Sequence, residues 1–137
     1  LASMEGHNEV IWALAFTHTN TVLSGSEDCT VRQWALSGQQ LNVFTLENAV
    51  GSLWFSRESQ QLVVGCSNGD LVIVSKLPLP ESISDERVEL KPAAHDASLC
   101  SVVMKGDCIV TGSVDMTIRY WDATKPPPPE FKVVHSS

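Results

Sequence analysis

Two stretches of the sequence carry the same polar and aromatic residue types at the same spacing. VLSGSEDCTVRQWA (22–35) and IVTGSVDMTIRYWD (109–122) each contain a hydroxyl residue, an Asp four positions later, and a Trp six positions after the Asp. These residues are Ser24, Asp28 and Trp34 in the first stretch and Thr111, Asp115 and Trp121 in the second. Because chance seldom produces one spacing twice in a short chain, we expect the two sets to share a role.

Serine, histidine and aspartate together are the residue types of a hydrolase triad, and Ser24, His7 and Asp28 would supply them. Ser24 is not flanked by the glycines of a strained nucleophile turn, and the second stretch has Thr111 at its position. A hydroxyl paired with a Trp in two copies is more typical of a scaffold. The hydrolase stays an alternative of a different class.

The same residues can form a hydrogen-bond network around a buried tryptophan. A buried indole N–H needs an acceptor, which the hydroxyl of Ser24 can provide to Trp34. The hydroxyl can in turn donate to His7 in EGHNEV, if the chain returns to this point before the first strand. Asp28 would accept from the other ring nitrogen and fix the tautomer of the histidine. The spacing therefore predicts a four-membered structural network.

The composition excludes several classes of function. The chain has 137 residues, a formal charge of −7 and only 9 Lys and Arg, so we expect no nucleic-acid or anionic-membrane partner. The negative charge favours a protein or peptide partner, and a basic one fits better. The four cysteines lack metal-site spacing, which predicts free thiols, no metal and no cofactor. No apolar run approaches the ~18 residues of a membrane span. We expect an intracellular, cytoplasmic protein.

A third, degenerate copy lies between the other two. VVGCSNGDLVIVS places Val64, Asn68 and Val74 at the aligned positions, giving periods of 40 and then 47 residues. Each unit contains four short apolar segments bounded by turn residues, which predicts twelve antiparallel strands in an all-β fold. Several strands are apolar on both faces, as expected for sheets stacked between sheets.

Three further segments have their own expectations. Asn68-Gly69 suits a type I′ hairpin turn, which needs positive φ at both central residues. The segment 76–92 accounts for the longer second period and is expected to be an insertion at the bottom or side. The segment KPPPPEF (125–131) is predicted to adopt polyproline II and to connect to the last strand.

These features resemble the WD-repeat family, whose repeat has a Gly-His near its start and a Trp-Asp near its end. Gly6-His7 and Trp121-Asp122 match these dipeptides, whereas Ala35 and Ala94 depart from them. The resemblance implies three four-stranded antiparallel β-propeller blades, spanning 1–46, 47–90 and 91–137. It also implies two copies of the family's structural tetrad: His7, Ser24, Asp28 and Trp34, and His95, Thr111, Asp115 and Trp121. The middle blade would rely on packing alone.

The resemblance also implies where partners bind. Propellers of this family bind peptides or domains at one rim, formed by the loops entering each first strand and by the turns between second and third strands. The corresponding positions here are Val10, Trp12, Glu27, Ala49, Gly51, Ser67, Ser98, Cys100 and Val114. Trp12 is expected to be the main contact, the alternative being that it fills space against a neighbouring blade. Acidic Glu9, Glu27 and Asp96 near the same rim would favour a basic ligand.

The implied function is a non-catalytic scaffold for protein–protein interaction. One alternative is a substrate adaptor of a ubiquitin ligase, although the family's Trp-Asp-x-Arg box is absent because Ala123 and Thr124 follow Trp121-Asp122. Three blades cannot close a ring, since known propellers have at least four. We therefore expect self-association, with two chains closing six blades, unless a longer parent chain supplies the remaining blades.

Overall fold

The computed structural model of the protein describes residues 2–122 and, for residues 131–136, the strand that they form. Residues 123–130, which include most of the predicted polyproline II segment, lie outside the described residues. All the described regular structure is β-strand, arranged as three four-stranded antiparallel sheets in which consecutive strands are neighbours. The predicted all-β fold of four-stranded antiparallel blades is confirmed.

The three sheets follow one another along the chain. Blade 1 contains β1 (Ile11–Phe16), β2 (Val22–Ser26), β3 (Thr30–Trp34) and β4 (Gln40–Thr45). Blade 2 contains β5 (Val50–Phe55), β6 (Leu62–Cys66), β7 (Leu71–Val74) and β8 (Val88–Lys91). Blade 3 contains β9 (Leu99–Lys105), β10 (Cys108–Ser113), β11 (Thr117–Asp122) and β12 (Phe131–Ser136).

The first strands of the blades lie side by side. Strand β5 contacts β1 on one side and β9 on the other, while β2 and β6 contact the first strand of the next blade. This arrangement places one apolar core between blades 1 and 2 and a second between blades 2 and 3. Every residue of β6 and β7 is buried, which explains why both strands are apolar on both faces. The ring is open at blades 1 and 3.

The turns between second and third strands share one geometry, and it is not the predicted one. Positive φ angles occur at Cys29, Gly69 and Met116. The backbone N–H of each of these residues donates to the carbonyl of the third residue before it. Asn68 has no positive φ, so the type I′ prediction for Asn68-Gly69 is wrong. The turn is a type I turn followed by a left-handed residue, which adds one residue to the hairpin and leaves Asn68 free to fold back on the backbone.

The inserted segment between β7 and β8 lies at the side of blade 2 and reaches blade 1. Thr45 at the end of β4 donates its backbone N–H to the carbonyl of Glu81 at 3.0 Å and forms an isolated parallel bridge with Ser82. Leu79 is buried in the core between blades 1 and 2, and Ile83 packs against that core. The insertion thus joins two blades at their outer ends.

No helix in the described part of the chain is long and apolar enough to span a membrane.

Candidate functional site

The predicted polar residues of blade 1 form one connected network. His7 Nδ1 lies 2.8 Å from Asp28 Oδ2, and His7 Nε2 lies 2.5 Å from Ser24 Oγ. Trp34 donates its indole N–H to Ser24 Oγ at 2.8 Å. Because the carboxylate only accepts, we assign the ring proton to Nδ1 of His7, and the hydroxyl of Ser24 then donates to Nε2.

Blade 3 repeats this geometry with a threonine. His95 Nδ1 lies 2.9 Å from Asp115 Oδ2, and His95 Nε2 lies 2.7 Å from Thr111 Oγ1. Trp121 donates its indole N–H to Thr111 Oγ1 at 3.0 Å. Thr111, His95 and Trp121 are all at most 1% exposed, so the network lies in the interior between blades 2 and 3.

Both network aspartates have a strongly lowered pKa. Burial alone would raise the pKa of Asp28, but hydrogen bonds from Thr30, His7 and the backbone N–H of Asn8 outweigh it and hold that pKa far below its ordinary value. Hydrogen bonds from Thr117, His95 and the backbone N–H of Asp96 have the same effect on the pKa of Asp115, again against burial. Each carboxylate is therefore ionised wherever the protein is folded at ordinary pH.

Two threonines belong to these networks and were not predicted. Thr30 donates its hydroxyl to Asp28 Oδ1 at 2.6 Å, and Thr117 does the same to Asp115 Oδ1 at 2.6 Å. The signal was available, because DCTVRQW and DMTIRYW share a Thr two positions after the Asp. The two stretches also share an Arg, and Arg32 Nη2 lies 3.8 Å from Asp28 Oδ2.

Blade 2 holds its second and third strands together by other contacts. Val64 and Val74, at the positions of the hydroxyl residue and the Trp, are both 0% exposed in the core between blades 1 and 2. In the turn, Asn68 Oδ1 accepts from the backbone N–H of Asp70 at 3.1 Å. Asp70 Oδ1 accepts from the backbone N–H of Ala93 at 2.9 Å, which ties this turn to the segment that leads into blade 3.

Gly69 in the same turn is a point of close approach between blades. Its carbonyl accepts from the backbone N–H of His95 at 3.0 Å. A Cβ at this position would collide with the carbonyl oxygen of His95, and the φ of +93° disfavours any side chain in addition. The turn of the degenerate blade therefore positions the histidine of the next blade's network.

Seven of the nine predicted rim residues meet in one surface groove. This end groove has a volume of about 210 Å³ and is lined by Trp12, Glu27, Ala49, Val50, Gly51, Ser67, Ser98 and Cys100. Val50 was not predicted to line the groove. It is an apolar residue at the start of β5 and is buried. Val10 and Val114, which were predicted, are exposed but do not line the groove.

Trp12 and Glu27 form the wall that blade 1 contributes to the end groove. The side chain of Trp12 is 59% exposed, and its indole N–H donates to Glu27 Oε2 at 2.7 Å. Glu9 and Asp96 are exposed as well. The groove thus combines the aromatic face of Trp12 with the carboxylate of Glu27.

No metal site is found among residues 2–122, in which no three His, Cys, Asp or Glu side chains are placed to hold one ion. The four cysteines are free thiols. Burial raises the pKa of Cys66 to about 12, so this thiol stays protonated and unreactive. Cys100, in contrast, is exposed in the end groove.

Comparison with known proteins agrees with this geometry. The family model for the WD domain, G-beta repeat, matches residues 1–35 and 89–122, which include both networks and omit most of the degenerate blade. WD repeat-containing protein pop2 of Schizosaccharomyces pombe is 31% identical over 149 residues, which cover 88% of this chain and 21% of that protein. The chain spans about a fifth of the length of the curated relatives it matches.

Two solved structures share the fold. The WD40 β-propeller domain of Doa1 matches with a TM-score of 0.75 and 23% identity, over 89% of this chain and 40% of that one. The computationally designed Ika4 protein matches with a TM-score of 0.72 and 25% identity, over 100% of this chain and 78% of that one. The three sheets therefore have the mutual arrangement of propeller blades.

Proposed function

Because this chain belongs to the WD-repeat family of β-propeller proteins, we propose that it is a non-catalytic scaffold that binds a protein or peptide in the end groove. WD-repeat proteins are generally protein-interaction scaffolds, which makes binding the expected activity. The specific site and the character of the ligand are proposals from the groove's own residues.

The observation that carries this proposal is the convergence of three blades on one exposed tryptophan. Trp12 comes from blade 1, Gly51 from blade 2 and Cys100 from blade 3, and all three line the same groove. Tryptophan is the residue type most enriched among interface positions that dominate binding energy, particularly where it lies next to a concave surface. The small residues opposite Trp12 leave room for a ligand side chain.

A lysine or arginine side chain is the ligand group that this groove fits best. A cation can lie against the exposed face of Trp12 and pair with the carboxylate of Glu27 at the same time. Glu9 and Asp96 are exposed acidic residues as well, and the chain's formal charge of −7 would speed the encounter with a basic segment. We therefore propose a basic peptide segment as the ligand.

Burial of the Ser24 network supports a non-catalytic role. Ser24, His7 and Asp28 have the contacts of a hydrolase triad, but Ser24 is 2% exposed and its oxygen already accepts from Trp34. A nucleophile must reach a substrate carbonyl, which this oxygen does not. The same geometry recurs in blade 3 with Thr111, which is 0% exposed, and this repetition indicates a structural role.

Ser67 is a second serine to weigh for catalysis. GCSNG (65–69) matches the Gly-x-Ser-x-Gly pattern of a nucleophile turn. That pattern requires a strand followed by a helix, whereas this turn joins β6 to β7. No histidine hydrogen-bonds to the Ser67 hydroxyl within residues 2–122, so we propose a binding role for it.

Nothing in residues 2–122 favours the alternative function as a substrate adaptor of a ubiquitin ligase. The cytoplasmic location stays a prediction.

A peptide array tests this function. Immobilised short peptides that contain Lys or Arg at each position, with Glu-substituted counterparts, are probed with the wild-type chain, Trp12→Ala and Trp54→Ala. Trp54 is the matched control because it is a partly exposed tryptophan at the other end of β5. We expect Trp12→Ala to weaken binding of basic peptides at least tenfold, in line with the ~2 kcal/mol of a dominant interface residue.

The control must behave differently for the result to count. Trp54→Ala should bind like the wild type, and both variants should keep the wild-type circular dichroism spectrum. Equal binding by Trp12→Ala and the wild type, or a preference for the Glu-substituted peptides, would rule out the proposed site or ligand, respectively.

A further inference from the structure

A second groove lies at the opposite end of β5 from the end groove. The end groove includes Val50, the first residue of β5, whereas this one includes Phe55, the last. It has a volume of about 380 Å³ and is lined by residues 54–58, Met104 and Lys105. These residues belong to the β5–β6 hairpin and to the end of β9, so this basal groove is formed between two neighbouring blades, 2 and 3.

Three large side chains give the basal groove an apolar surface. Trp54 is 37% exposed, while Phe55 and Met104 are each 6% exposed. The ring of His18, from the β1–β2 turn, stacks on Phe55 at a centroid distance of 5.6 Å and holds it in place. Trp54 therefore presents an accessible aromatic surface, and the flexible side chain of Met104 in the same groove can adapt to an incoming group.

Most of the positive side chains in the described part of the chain are already paired. Of the seven Lys and Arg in residues 2–122, four form ion pairs with carboxylates: Arg32, Arg87, Lys91 and Arg119. Arg57, Lys76 and Lys105 form none within these residues, and all three are exposed. Two of them, Arg57 and Lys105, line the basal groove from different blades. Unpaired positive charge is thus concentrated there.

The turn that carries Arg57 has a fixed geometry. The backbone N–H of Ser56 donates to the carbonyl of Gln61 at 2.9 Å, and Ser56 Oγ accepts from the backbone N–H of Ser59 at 3.3 Å. Arg57 Nη2 donates to the carbonyl of Thr17 at 3.5 Å, which is its one side-chain hydrogen bond within residues 2–122. Because a guanidinium has five N–H donors, most of them remain available to a carboxylate.

We propose that the basal groove binds an acidic peptide segment of a protein partner. A carboxylate of the segment lies between Arg57 and Lys105, and an apolar side chain beside it packs on Trp54. The end groove pairs its tryptophan with Glu27, so the two ends of β5 select ligands of opposite charge. The chain can then hold a basic and an acidic segment at the same time. This second site rests on its own residues and not on the proposed ligand of the end groove.

The charge around the basal groove favours a peptide over a nucleic acid, which is the other common anionic macromolecule. Glu58 lines the groove together with the two cations, and the chain as a whole has a formal charge of −7. Nucleic acids carry a charge on every phosphate and are bound through many Lys and Arg contacts, which two cations do not supply. One or two carboxylates next to an apolar side chain match two cations next to a tryptophan.

Fluorescence anisotropy with a short labelled peptide that has a Phe-Asp-Glu core tests this site. The reference protein is Trp12→Ala, because this change weakens the proposed binding in the end groove and leaves the basal groove to report. We expect this protein to bind the acidic peptide at least roughly tenfold more tightly than a counterpart with a Phe-Lys-Lys core. Adding Lys105→Glu or Trp54→Ala should each raise the dissociation constant for the acidic peptide at least roughly tenfold.

Lys76→Glu is the matched control for Lys105→Glu. Both changes replace an exposed lysine and alter the net charge equally, but Lys76 does not line the basal groove. Lys76→Glu should keep the dissociation constant within about twofold, because salt screens exposed charges that lie far from the ligand. All variants should keep the circular dichroism spectrum of Trp12→Ala.

Four results would overturn the proposal. They are an absence of acidic-peptide binding at millimolar concentration, unchanged binding after Lys105→Glu, equal losses from the two lysine changes, and tighter binding of a single-stranded oligonucleotide than of the acidic peptide. Failure of the end groove to bind basic peptides would leave all of these readings unchanged, so the two sites are tested separately.

Discussion

Blades 1 and 3 differ from blade 2 in how each connects its second and third strands. In blade 3, Thr111 and Trp121 meet through hydrogen bonds that continue to His95 and Asp115. In blade 2, two valines occupy the hydroxyl and tryptophan positions and make only apolar contacts. The backbone pairing of second and third strands is nevertheless the same in both blades. One blade geometry can therefore be built by two different kinds of interior.

The difference teaches that the network is replaceable only as a whole. A buried hydroxyl without a partner costs free energy, and so does an indole N–H without an acceptor. Blade 2 has neither the hydroxyl at position 64 nor the indole at position 74, so neither group is left without the other. We expect a blade to lose stability when only one member of the network is replaced. Such a change can remove a polar group from a complete network or add one to the apolar interior of blade 2.

The largest effect is expected from Thr111→Val, which removes one hydroxyl from an otherwise complete network. Trp121 Nε1 loses its acceptor and His95 Nε2 loses its donor, and both atoms are buried. We expect a loss of about 2–4 kcal/mol in the free energy of unfolding, because two buried polar groups are left unsatisfied. Urea denaturation followed by circular dichroism measures it.

Thr111→Ser is the control, because it restores the residue type that blade 1 uses at Ser24. It should cost clearly less than Thr111→Val, although it removes a methyl group that valine keeps. If the valine variant were the more stable of the two, blade 3 would not depend on its hydroxyl and the contrast between the blades would disappear.

The reverse exchange, Val64→Thr, should cause the next largest loss of stability. It places a hydroxyl in the apolar core between blades 1 and 2, which contains neither a histidine nor a tryptophan to pair with it. We expect a loss of about 1–2 kcal/mol, since valine and threonine have similar shape and differ mainly in the cost of burying the hydroxyl. The same denaturation experiment applies, and no change in midpoint would mean that the interior of blade 2 tolerates polar groups.

Acid should weaken the blades that contain aspartate networks. The pKa of Asp28 and the pKa of Asp115 are lower in the folded state than their ordinary value of 3.8. Groups of this kind contribute stability above their unfolded pKa and lose it as the pH falls through 4 towards the folded pKa. By pH 3 each carboxyl should have lost about 1 kcal/mol of its contribution.

The double variant Asp28→Asn and Asp115→Asn provides the comparison for that acid effect. It should start less stable at pH 7 and should show a smaller further loss between pH 5 and pH 3 than the wild type. Asn68 already occupies the equivalent position in blade 2 and does not titrate. Parallel pH profiles for the wild type and the double variant would contradict the assignment.

The sequence was sufficient for the features that are periodic. Apolar segments bounded by turns located all twelve strands, including β8, whose RVEL segment has only alternate apolar residues. Repeated spacing located the residues that meet around Trp34 and Trp121. These features are local, because a strand pattern or a hairpin spacing fixes which residues face each other.

The features that the sequence did not disclose depend on contacts between distant segments. Trp34 is only 1% exposed, because the segment before β1 covers it and Gly6 lies against the ring. Val50 forms part of the end groove only because three blades converge there. The left-handed conformation of Cys29 and Met116 follows from the hairpin's length and is unusual for these residue types.

The reach of the insertion from blade 2 to Thr45 has a consequence for aggregation. Strand β4 is the outermost strand of blade 1, and an outermost strand offers unpaired N–H and C=O groups on which a foreign chain can add as a new strand. Glu81 already occupies the N–H of Thr45, and Pro78 and Pro80 beside it have no N–H with which to extend such a ladder. The insertion therefore caps the end of that strand against amyloid-like growth, a protective role that does not require any bound partner.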